Sequence, residues 1–215
     1  MSDRYFFAAL FLLIAIRFLH FGKQIDQPHD WRQCDTAYYI DDFYKKGVDL
    51  FYPAVCWMGA SDTLALEFPL PEAIVASTWK ITGRHIWIAR SIFLLFFIGA
   101  TYYFYKIIAF FGNEMLAKSA TVIYVGSPLA FFYSRAIHID FFVLLFTHAM
   151  VFYFLVAVKR KKFGLLVVSA IAATIGFLVK APYVFYWCIP MMIYVVQQKA
   201  LSWFLKYGWL YLTPV

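Results

Sequence analysis

What most constrains this chain is a succession of long apolar runs between Tyr5 and Val196, each closed by a short polar or charged break. The run over 141–158 contains no Asp, Glu, Lys or Arg. A backbone in hydrocarbon must satisfy its own N–H and C=O groups, so runs of this length cross a bilayer as helices. Composition agrees: 64% of the chain is hydrophobic, against roughly 45–50% in soluble domains. The formal net charge of +7 is spread over short loops, which reads as membrane orientation and excludes a nucleic-acid surface. The expected fold is an all-α, polytopic transmembrane bundle forming a single membrane domain over 1–215. The periodicity predicts six spanning helices, at 5–21, 86–104, 116–133, 141–158, 163–179 and 183–196, with a seventh that opens near Trp203 and is cut at Val215. The first run lacks a small-residue cleavage site and reads as a retained helix, with Arg17 and His20 at its far end.

One long segment breaks this pattern. The loop at 22–85 holds 9 of the chain's 12 acidic residues, at Asp26, Asp30, Asp35, Asp41, Asp42, Asp49, Asp62, Glu67 and Glu72. It is also rich in aromatic residues and proline, which a disordered linker avoids. Within it, 35–46 reads as an amphipathic surface helix with Ala37, Ile40, Phe43 and Tyr44 on one face, Asp35 as N-cap and Gly47 as stop. A second short helix is expected over 71–80, and Gly112-Asn113-Glu114 is a tight turn. Of three cysteines, Cys34 and Cys56 fall in the loop, either bonded or both free; Cys188 reads as a packing residue.

With alternating helices, Arg4, Lys118, the Lys159-Arg160-Lys161-Lys162 cluster and Lys199 share one side, expected to be cytoplasmic with the N-terminus. The large loop, the break at 134–140 and Lys180 then share the external side. Asp140 stands at a helix mouth, where an idle carboxylate is expensive; it is either a site residue or an interfacial acid paired with Arg135 or His138. His138 and Asp140 are spaced i, i+2, which lacks the regularity of a helical metal pair. No metal or other cofactor is expected, although the loop acids offer further oxygen ligands to a divalent ion. Lys180 and Arg90 read either as snorkelling anchors or as cations for a lipid phosphate.

The order of these features resembles the GT-C integral-membrane glycosyltransferases, in particular the family 39-like group that includes protein O-mannosyltransferases and the lipid A aminoarabinose transferase. The resemblance rests on His29-Asp30-Trp31-Arg32-Gln33-Cys34-Asp35-Thr36 with the amphipathic helix and Tyr52-Pro53 that follow, on Glu67-Phe68-Pro69-Leu70, on Thr82-Gly83 through Arg90, and on Ile139-Asp140-Phe141 with Lys180. It spans essentially the whole chain, which would be the N-terminal module of such an enzyme. Relatives carry an Asp-Glu pair where Arg32-Gln33 stands here, so the catalytic acid falls to Asp35 or, alternatively, Asp30; Asp35 is preferred because it opens the predicted helix.

The resemblance implies inverting transfer of a sugar from a polyprenyl-phosphate donor to a lipid, glycan or protein hydroxyl at the outer face of a bacterial inner (plasma) membrane. Asp35 would be the base, Glu67 and Asp140 would face positive charge developing on the sugar, and Arg90 and Lys180 would hold the donor phosphate. Trp31, Arg32 and His138 would contact sugar or acceptor, as would the loop's Trp57. The competing reading is a non-catalytic membrane subunit or lipid-binding scaffold of a larger complex. An ion-coupled transporter fits poorly, because the acids lie in the loop and at helix ends.

Overall fold

The computed structural model describes residues 2–19, 21–25, 30–54 and 67–211. Among the described residues, three helices are long and apolar enough to cross a membrane: α4 (Ile86–Phe111), α7 (Asp140–Arg160) and α8 (Phe163–Phe185). At 1.5 Å rise per residue, even the 21 residues of α7 match a ~30 Å hydrocarbon core. α7 is apolar all round and is correspondingly the most buried of the three, with α4 on one side and α8 on the other. α8 lies close against it through small residues, among them Ala172, Ala173 and Gly176, and Ser169 Oγ donates to the Met150 carbonyl at 2.7 Å. Outward-facing side chains such as Leu95, Tyr102, Ile171 and Leu178 are exposed, as a lipid-facing surface requires.

The other helices are shorter: α1 (Asp3–Ile16), α2 (Asp30–Lys46), α3 (Leu70–Thr82), α5 (Glu114–Gly126), α6 (Pro128–Tyr133), α9 (Cys188–Gln197) and α10 (Leu201–Tyr207), the last followed by a 3₁₀ turn at Gly208–Tyr211. α2 and α3 pair and lie on α4. Ile40 and Phe43 pack against Val75, Ala76 and Trp79, with Ile88, Ala89, Phe93 and Ile137 beneath. This is the apolar face that the periodicity predicts for α2. Gly47, at φ +107°, stops it, and its N–H reaches the Phe43 carbonyl at 3.1 Å.

Several boundaries depart from expectation for identifiable reasons. α2 begins five residues early, at Asp30, so Asp35 is not its N-cap but lies in the second turn. The helix predicted over 116–133 is two. Pro128 requires an extended residue before it, Ser127 has ψ 142°, and the Ser127 hydroxyl accepts from the Ala130 N–H to cap α6. α5 itself is capped by Asn113, whose side chain accepts from the Leu116 N–H at 2.8 Å. α1 ends at Ile16, and the chain leaves through turns around Arg17, which is not at the interface but fully buried. α8 runs beyond its predicted end at 179 to Phe185, interrupted by the extended backbone of Lys180 (φ −158°, ψ 85°) ahead of Pro182.

Candidate functional site

Pro182 is the origin of the site's architecture. Lacking an N–H, it cannot donate to the Leu178 carbonyl four residues earlier. That carbonyl instead accepts from the Phe68 N–H at 3.2 Å, which fastens the segment carrying Glu67 to the end of α8. The same break turns Lys180 towards α7, where its Nζ donates to Asp140 Oδ1 at 2.9 Å. Asp140 is the first residue of α7, where the helix dipole favours a carboxylate. Tyr183 completes its surroundings: its ring lies 5.5 Å from the Lys180 ammonium, within electrostatic reach of the Asp140 carboxylate.

His138 is buried beside this pair. The Asp140 amide N–H donates to His138 Nδ1 at 3.3 Å, so that nitrogen is the acceptor, and its 3.4 Å approach to Asp140 Oδ2 is a contact rather than an ion pair. The ring meets Tyr133 edge-on.

The second cluster comes from α2 and the segment before α3. Arg32 Nη2 lies 3.0 Å from Glu67 Oε1, both side chains being about 30% exposed, and the Arg32 guanidinium sits over the Trp31 ring. In the first turn of α3, Glu72 is 5% exposed, and its Oε2 has no hydrogen-bond partner among the described residues. Burial, the largest effect, pushes the Glu72 carboxyl from 4.5 up to about 8; the nearby Glu67 charge adds to the rise, and Arg32 and the Glu72 backbone N–H oppose it.

The two clusters adjoin. Besides the Phe68–Leu178 bond, Gln33 Oε1 accepts from the Ile137 N–H at 3.3 Å, joining α2 to the segment that bears His138 and Asp140. Tyr183 lies within electrostatic reach of both Asp140 and Glu67. Asp35 is half-buried two residues from Gln33; Asp30 is exposed at the start of α2 and accepts from the Trp31 N–H.

Arg90 is placed differently from expectation. It is 4% exposed, and its terminal nitrogens donate to the carbonyls of Phe21, Lys23 and Gln24 at 2.8, 2.8 and 3.2 Å. It holds the chain between α1 and α2. Cys34 carries an exposed free thiol; Cys56 and Trp57 lie outside the described residues. Sequence reasoning assigned no role to Gln33, Glu72 or Tyr183. Gln33 had a signal, because it falls one helical turn before the Ala37–Ile40 stripe, and Glu72 likewise falls one turn before the stripe of Val75, Ala76 and Trp79.

Bundle and site together define a helical membrane protein whose chemistry-bearing side chains gather at one end of its spanning helices. The chain belongs to the dolichyl-phosphate-mannose-protein mannosyltransferase family, whose model matches residues 67–215. It is therefore a membrane glycosyltransferase of the GT-C type, a class that acts between a lipid-linked sugar donor and an acceptor. The matched span includes Glu67, Glu72, Arg90, His138, Asp140 and Lys180; Asp30, Arg32 and Asp35 precede it. No curated protein and no solved structure matches the chain.

Proposed function

We propose that the protein transfers a sugar, with inversion, from a polyprenyl-phosphate carrier to a hydroxyl acceptor on the external side of a bacterial inner membrane. The observation that carries this reading is the junction at the broken end of α8, where the Lys180–Asp140 pair lies beside the Arg32–Glu67 pair. Lys180 offers a cation to the donor phosphate, and Asp140 offers a carboxylate to the positive charge that develops on the sugar ring. Glu67 adds a second anion, and Arg32, Trp31 and His138 line the sugar or acceptor.

Asp35, on the α2 turn next to Gln33, is the base. As the acceptor oxygen bonds to the anomeric carbon, its proton passes to the Asp35 carboxylate. The bond from that carbon to the phosphate oxygen breaks on the opposite face, and its electron pair leaves with the lipid phosphate. Arg90 is left out of the phosphate role, since its fork holds backbone carbonyls.

Asp35→Asn in the full-length protein tests the assignment, because the amide keeps the shape and loses the base. Release of polyprenyl phosphate from a lipid-linked sugar should fall about 10²–10⁴-fold with donor binding retained. Full activity would refute the role of Asp35; a dead Asp30→Asn beside an active Asp35→Asn would move the base to Asp30.

A further inference from the structure

Glu72 is a carboxylic acid that the reaction above does not use. It stands in the first turn of α3, is 5% exposed, and has one oxygen without a hydrogen-bond partner among the described residues. An ionised carboxylate buried with an unsatisfied oxygen is strongly disfavoured, so such a group keeps its proton. Among the described residues, the charged groups that act on it are Arg32 from α2 and Glu67 from the segment before α3. These two are each other's partners at 3.0 Å. The α2 residues buried nearest Arg32, Gln33 and Thr36, are uncharged.

We propose that Glu72 is a positioning residue of this site that acts in its neutral form: protonated, it leaves the Arg32 guanidinium to Glu67, and once ionised it is a second carboxylate competing for Arg32. This rests on the glycosyltransfer reading for its consequence in turnover, but not for its consequence in stability. The neutral acid makes the arrangement conditional on pH. The Glu72 carboxyl sits at about 8, above its ordinary 4.5, so its stabilising effect is complete below 4.5 and is lost as pH rises through about 8.

The experiment uses the full-length protein in lipid nanodiscs. Stability coupling between Arg32 and Glu67, from the cycle of Arg32→Gln, Glu67→Gln and the double variant, should be present at about pH 6.5 and lost at about pH 9. In a Glu72→Gln background, which is neutral at every pH, the coupling should persist at both. Equal pH dependence in the wild-type and Glu72→Gln backgrounds overturns the proposal.

A second readout covers a Glu72→Gln protein that does not fold. The midpoint of the alkaline fall in melting temperature should move down in Glu67→Gln and up in Arg32→Gln, the signs their charges dictate; an unmoved midpoint overturns it. With a polyprenyl-phosphate mannose donor, kcat/KM should drop about tenfold more between about pH 7 and 9 in the wild type than in Glu72→Gln, as a group titrating near 8 requires. Lack of transfer by every variant sinks the donor reading, and the coupling measurement still decides Glu72.

Discussion

Replacing Arg17 by methionine should weaken the protein substantially, and the structure supplies the sign as well as the size. Arg17 is 0% exposed. Its guanidinium donates to Ser134 Oγ at 2.7 Å and to the carbonyls of Leu13 and Val125 at 2.5 and 2.6 Å, and it lies over the rings of Phe97 and Phe131. Two effects oppose each other. Burying a cation is costly, and a methionine of similar length relieves that cost. Against this, the Val125 carbonyl belongs to the last turn of α5, where the Ser127-Pro128 break removes its helical partner. Removing Arg17 orphans it together with the Leu13 carbonyl, at about 1–3 kcal/mol each.

Once the Phe97 and Phe131 rings no longer face a cation and the buried charge is relieved, a net destabilisation of about 2–4 kcal/mol is expected. For a chain of this size that lowers the melting temperature on the order of 10 °C. Arg17→Lys should recover less than half, because one ammonium cannot span three acceptors arranged around a planar fork. Thermal unfolding in matched micelles is the assay. A methionine variant melting within about 2 °C of wild type would refute the reasoning, by showing that the buried charge costs as much as its hydrogen bonds return.

Two further outcomes are expected. A double-mutant cycle of Asp140→Asn and Lys180→Met should give a coupling of about 1–3 kcal/mol in stability, between the values for exposed and buried pairs, since these side chains are 20% and 26% exposed; coupling under about 0.5 kcal/mol would mean that the pair does not hold the end of α8. If the 159–162 cluster is cytoplasmic, as its positive charge predicts, Lys161→Cys in a cysteine-free background should react with impermeant maleimide only after the membrane is opened, and labelling from outside would reverse the topology.

The sequence alone determined the elements whose causes are local. α4, α7 and α8 were legible because an uninterrupted apolar run has one stable form in hydrocarbon. The buried stripe of α2 followed from a 3.6-residue period, and its stop at Gly47 and the turn around Asn113 from the chemistry of single residues. Asp140 stood out because a carboxylate at a helix mouth is rarely idle.

What only the tertiary structure decided are partnerships between distant residues. Arg17 and Ser134 are 117 positions apart, Arg90 and Phe21 are 69 apart, and Lys180 and Asp140 are 40 apart. The sequence offered Arg17 and Arg90 as interfacial cations, and packing buried both against carbonyls. Nor did it reveal that Pro182 would free the Leu178 carbonyl for Phe68, or that Glu72 would keep an unpartnered oxygen inside the protein among the described residues. A residue's type states which bonds it can make; which one it makes depends on which unsatisfied group the fold brings within about 3 Å, and in a low-dielectric interior that choice sets its charge.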